Sequence, residues 1–157
     1  MPGDITIALP VRLIAADGQA EMRVQYRPVL PGLGYMLVAV AGTGRELIEE
    51  CRQHGPDLVI ADSKLPDMDV ADAAEEVCRA GPVPFIVTAA HSDPTQIGHG
   101  GADPFFACLM KPINRGHLEA VIPFVLRRFK KMQALLQELE YLRLQAKSER
   151  CLEPVVG

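Results

Sequence analysis

Tryptophan is absent from the 157 residues and aromatics make up only 5% of them, against an apolar share of 48%, so the core is expected to be aliphatic. No apolar run approaches the ~18 residues of a membrane span, and the opening Met1-Pro2-Gly3-Asp4 lacks the basic start of a secretory signal. A cytoplasmic location is the expectation. The four cysteines, Cys51, Cys78, Cys108 and Cys151, form no C-x-x-C pair, which argues against a zinc site and a disulfide framework. Free thiols are expected. Nor do His54, His91, His99 and His117 show metal-ligand spacing, so they read as surface or cap residues.

What is present is enough for one domain with an appendage, burying roughly two thirds of its unfolded surface. The net charge of −4 is uneven: residues 1–114 carry 8 basic and 15 acidic side chains, residues 115–150 carry 8 basic and 4 acidic. Arg127, Arg128, Lys130 and Lys131 on the basic side do not exceed an ordinary solvated helix face.

Residues 1–10 have no periodicity and read as a leader. Short apolar runs then alternate with helical patterns. Strands are expected at Val11–Ala16, Tyr35–Val40, Leu58–Ala61, Pro84–Ala89 and Phe105–Met110, too short for helices and rich in branched residues. The intervening helix from Gln19 is expected to kink or end early at Pro28. The next opens on a capping box, Thr43-Gly44-Arg45-Glu46, and stops at Gly55-Pro56. A third spans Val70–Ala80, and a fourth, Ser92–Asp103, carries Gly98, Gly100 and Gly101, each costing up to about 1 kcal/mol relative to Ala. Strand and helix repeated with short connections predict a doubly wound, flavodoxin-like parallel sheet of order 2-1-3-4-5.

Four chemistry-bearing residues fall at the carboxyl ends of these strands, where α/β sheets bind ligands: Asp17, Asp62, Thr88 and Lys111. Taken singly, Asp17 and Asp62 read as turn residues, Thr88 as a β-former and Lys111 as a loop cation. Together, the segments Asp62-Ser63-Lys64-Leu65-Pro66-Asp67-Met68-Asp69, Ile86-Val87-Thr88-Ala89 and Leu109-Met110-Lys111-Pro112 resemble the receiver domain of bacterial response regulators. The resemblance covers about residues 11–127. It implies that Asp62 is a phosphoacceptor served by a sensor histidine kinase or small phosphodonor. It further implies Mg²⁺ held by Asp17, Asp62 and the backbone carbonyl of Lys64, with Lys111 and Thr88 contacting the phosphoryl group. Beyond self-phosphorylation and self-dephosphorylation no enzymatic activity is implied, and the D-x-D pattern of aspartate-based phosphatases is absent, Ser63-Lys64 following Asp62 instead.

The departures from the family pattern are as specific. Ala16 stands where one of two adjacent acidic residues is usual, so Mg²⁺ binding is expected to be weaker. Cys108 occupies the position, three before Lys111, of an aromatic that usually reports phosphorylation. Val70 replaces a common glycine.

From Leu118 the apolar positions run Leu118, Ile122, Val125, Phe129, Met132, Leu136 and Leu139, a heptad seam that Arg143 interrupts. Its early members are expected to cover the sheet and its later ones to need a partner helix. A helix over Arg115–Glu149, bent near Pro123, would thus extend as a coiled coil over residues 128–150, followed by a tail, 151–157. A homodimer through residues 118–142 is the expectation, parallel in the simplest case. The layout resembles the antiterminator type of response regulator without its three-helix RNA-binding domain, so RNA binding is not carried over. Two alternatives stand beside the phosphoacceptor reading: a phosphorylation-independent dimeric scaffold, and RNA binding through the basic helix face.

Overall fold

The computed structural model describes residues 10–90 and 105–152, with only the backbone of residues 105, 106, 151 and 152. Five strands form one parallel sheet: β1 (Arg12–Ala16), β2 (Met36–Ala41), β3 (Leu58–Asp62), β4 (Phe85–Ala89) and β5 (Phe105–Met110), in the expected order β2-β1-β3-β4-β5. The helices are α1 (Ala20–Gly32), α2 (Gly44–His54), α3 (Val70–Cys78) and α4 (Arg115–Leu152). The expected helix at Ser92–Asp103 lies outside the described residues, as do almost all of the leader and most of the tail.

Alternation along the strands divides the core in two. Ile14, Ala16, Val59, Ala61, Phe85 and Val87 face α2 and α3, meeting Leu47, Cys51, Ala73, Ala74 and Val77. Their neighbours Leu13, Ala15, Leu58, Ile60 and Ile86 face α1 and α4, meeting Tyr26, Leu30, Leu118, Ile122 and Val125. Both faces are covered, which is why Leu58 to Ala61 read as a continuous apolar run and not an alternating one. The carboxyl ends of β1 and β3 register with each other, and Asp62 pairs with Thr88 across β3 and β4.

The early end expected at Pro28 does not occur. Helix α1 continues past Pro28 and Pro31 to Gly32, and α4 runs unbroken through Pro123. All three prolines lie on exposed positions, and so do Val24, Arg27 and Glu119, whose carbonyls lose the i→i−4 partner. Water can take over those bonds, so the usual cost of an interior proline is softened.

Helix α4 has 38 residues, about 57 Å of helix. Leu118, Ile122 and Val125 are buried against the sheet, with Val121 and Leu126 packed alongside. Further on the seam opens to solvent: Met132, Leu136 and Leu139 are exposed, as are Leu135, Leu142 and Leu144. No helix of the described residues is long and apolar enough to cross a membrane.

Candidate functional site

Asp17 follows β1, Asp62 ends β3 and Lys111 follows β5, so sheet order alone carries residues distant in sequence to one edge. There Lys111 Nζ donates to Asp17 Oδ2 at 3.0 Å and to Asp62 Oδ2 at 3.4 Å. One ammonium therefore bridges two carboxylates. The two acids differ in access: the Asp17 side chain is fully buried and that of Asp62 is 16% exposed. Asp17 is also the more constrained, because its Oδ1 accepts the Gln19 N–H at 2.9 Å and its own N–H bonds to the Ala41 carbonyl. Burial raises the Asp62 carboxyl above its ordinary value; Lys111 pulls it back, Asp17 pushes it up, and the Lys64 N–H favours the charged form.

Two loops are clamped together beneath this edge. Gly18 packs on Pro66 so closely that a Cβ there would sit 2.9 Å from Pro66 Cγ, which gives the D-x-x-x-P proline a steric role against the β1–α1 turn. The loop itself is closed by Leu65 N–H to the Met68 carbonyl and Val70 N–H to the Ser63 carbonyl, with Lys64 bridged to Asp69. Ser63 N–H bonds to the Thr88 carbonyl at 2.7 Å, tying β3 to β4 just past Asp62.

The α2 capping box is formed differently from expectation. Thr43 Oγ1 accepts the Glu46 N–H at 3.1 Å, but Glu46 Oε2 accepts from Gly42 N–H, one residue before the cap. The next two amides, of Gly44 and Arg45, are taken by Asp67 Oδ1 and Oδ2 at 2.7 and 3.0 Å. Asp67 is a site-loop residue that sequence reasoning missed as a cap, because its partners lie 23 and 22 residues away. These bonds, the one from Gly44 foremost, hold its carboxyl below the ordinary value. Asp67→Ala is expected to cost about 1 kcal/mol. A depressed carboxyl stabilises above its unfolded value and loses that contribution as pH falls through its folded one, so urea midpoints should converge with wild type in acid. A deficit unchanged in acid would contradict the capping role.

Thr88 is the predicted residue that stands apart. It is fully buried on β4, and its hydroxyl has no hydrogen-bond partner among the described residues. The Tyr26 hydroxyl of α1 is in the same position. The two are close enough to influence each other without meeting hydrogen-bond geometry. Burial, then the Asp17 charge, drives the Tyr26 phenol above its ordinary range, with Thr88 acting the other way and Asp62 adding to the rise. Tyr26 is not among the candidate site residues that the sequence marks.

The remaining residues behave as structural elements. Cys51, Cys78 and Cys108 are free thiols; burial pushes Cys51 up to about 12 and raises the other two. Asn114 caps α4, its Oδ1 accepting the His117 N–H while His117 Nδ1 accepts the Asn114 N–H, and His54 pairs with Glu50 at 3.1 Å. His91 and His99 lie outside the described residues. No cluster of three or more His, Cys, Asp or Glu side chains suited to a metal exists among the described residues. What the edge offers a cation is a hard-oxygen pair, Asp17 and Asp62, whose charge a single lysine only half neutralises. Such a set suits an ion that keeps several waters, as Mg²⁺ does.

The flavodoxin-like parallel sheet with a lysine-bridged acid pair at its carboxyl edge defines a doubly wound α/β domain with its charged residues where such sheets bind ligands. Residues 13–123 match the response regulator receiver domain. Transcriptional regulatory protein PdtaR of Mycobacterium tuberculosis is 31% identical over 154 residues, 98% of this chain and 75% of its own length. Chemotaxis protein CheY of Bacillus subtilis is 35% identical over 66 residues, 42% of this chain and 55% of its own. A crystal structure of a response regulator receiver domain protein from Clostridium thermocellum superposes with a TM-score of 0.70 at 20% identity, covering 78% of this chain and 98% of that one. The chain belongs to the response regulator receiver domain family, the receiving component of two-component signalling.

Proposed function

We propose that Asp62 accepts a phosphoryl group from a sensor histidine kinase or a small phosphodonor, and that the consequence is carried by α4. The observation that carries this reading is the Lys111 ammonium bridging Asp17 and Asp62 at the strand ends. Of the two carboxylates only Asp62 is reachable, and its raised proton affinity accompanies higher nucleophilicity. An Asp62 oxygen attacks phosphorus in line, an O–P bond forms as the donor's N–P or O–P bond breaks, and the donor leaves with the electron pair. Lys111 swings its charge to the phosphoryl oxygens, and Thr88 donates its hydroxyl hydrogen to one of them. Asp17, Asp62 and the Lys64 carbonyl would hold Mg²⁺, which would supply charge neutralisation when bound; with Ala16 in place of a further acid, weaker binding is expected. Hydrolysis of the acyl phosphate resets the site, and no external substrate is processed.

In this reading residues 11–127 receive the signal in the cytoplasm and residues 128–150 pair as a coiled coil. Incubation with acetyl phosphate and Mg²⁺ should label the chain at Asp62, and Asp62→Asn should lose the label. Labelling that survives that substitution sinks the proposal. One observation favours a second reading, a phosphorylation-independent scaffold: Ala16 is wholly buried among apolar side chains, leaving no third acid for the cation. No labelling of wild type, with an unchanged solution mass in Asp62→Ala, would support that reading.

A further inference from the structure

Two buried hydroxyls without a hydrogen-bond partner among the described residues, side by side beneath a charged site, call for an explanation. Thr88 has one in the reading above, since a phosphoryl oxygen would accept its hydrogen. Tyr26 does not. Its ring fills the α1–α4 side of the core at 2% exposure, packed in the cluster that contains Ile86. Phenylalanine would fill that space without an unsatisfied hydroxyl. Ile86 and Thr88 are two residues apart on β4 and so share a sheet face, which places Thr88 on the Tyr26 side. The phenol also feels the charges of Asp17 and Asp62, as a group lying just under the acid pair must, although burial acts on it more strongly.

We propose that Tyr26 is a positioning residue for Thr88: its O–H donates to Thr88 Oγ1 and thereby aims the threonine's own hydrogen at the phosphoryl group on Asp62. No proton changes owner in this chain of two hydrogen bonds. The role rests on the phosphoacceptor reading and extends it, because it makes α1 the element that senses the site. That matters in a chain where the reporting position on β5 is Cys108, half-buried, with no ring to rotate.

The test uses the full chain with acetyl phosphate and Mg²⁺. Tyr26→Phe should label about three- to tenfold more slowly than wild type, the scale of one hydrogen bond. Thr88→Val should also be slow, and adding Tyr26→Phe to it should cost nothing further, because the tyrosine acts only through the threonine. A purely structural tyrosine would slow both backgrounds equally, and that result, or a wild-type rate in Tyr26→Phe, overturns the role. The chain has three tyrosines and no tryptophan, so tyrosine emission provides a second readout. Beryllofluoride with Mg²⁺ should change it in wild type and Tyr35→Phe but not in Tyr26→Phe or Thr88→Val; a change retained in Thr88→Val also overturns the role. If wild type takes no label at all, the phosphoacceptor reading itself fails; if it labels normally and only the tyrosine results are flat, this inference fails alone.

Discussion

Lys111→Met is expected to destabilise the domain by about 3–5 kcal/mol at neutral pH, the scale for removing one partner from a buried ion pair. The volume is nearly conserved, so the loss is electrostatic. Asp17, with no exposed side-chain surface, and Asp62 would then face each other without the ammonium that now lies 3.0 and 3.4 Å from them. The deficit should depend on pH with a definite sign. Burial already holds the Asp62 carboxyl above its ordinary 3.8, and Lys111 is the main influence lowering it. A carboxyl whose folded value is raised favours the folded state fully below the unfolded value and loses that contribution as pH rises through the folded one. Without Lys111 the folded value climbs further, so the variant should be weakest near neutrality and recover towards about pH 4. Urea denaturation at both pH values measures this. A deficit under about 1 kcal/mol, as for an exposed pair, would show that the lysine does not carry the acid pair. Mg²⁺ should restore part of the loss, by about 2.7 kcal/mol when present at a hundred times its dissociation constant.

The second large effect concerns association. Leu136→Lys combined with Leu139→Lys is expected to convert a dimer to a monomer, halving the mass seen by light scattering. Both leucines are about half exposed in the single chain, 55% and 47%, so the domain itself should shift by no more than ~0.5 kcal/mol per site. Unchanged melting with halved mass would therefore locate the interface on the free part of α4. The same substitutions at Ile122 or Val125 would confound the two effects, since those side chains are buried against the sheet. A wild-type chain that is monomeric at every concentration tested would refute the coiled-coil pairing.

Much of the fold is legible residue by residue. The apolar runs at Leu13–Ala16, Leu58–Ala61 and Phe85–Ala89 are short, branched and bounded by turn residues, so their state follows from local pattern. The right-handed crossover rule leaves few strand orders for alternating strands and helices, and of these 2-1-3-4-5 fits a count of five. Pro28 does not end α1 early, because proline's effect depends on which side of the helix it occupies, and that side is defined only once the helix packs. Thr43 was readable as a cap within four residues, while the contribution of Asp67 to the same helix end was not.

What this sequence determined by itself is the scaffold and the roster: a parallel doubly wound sheet, and Asp17, Asp62, Thr88 and Lys111 at its carboxyl edge. These follow from periodicity and from position at strand ends, which are local properties. Only the tertiary structure decided how the four divide. Lys111 reaches acids 94 and 49 residues away, Asp17 is sealed while Asp62 stays accessible, and Thr88 turns its hydroxyl to the face shared with Tyr26. Hydrogen bonds and desolvation act over a few ångströms, so they are settled by which strands become neighbours and which face each side chain takes.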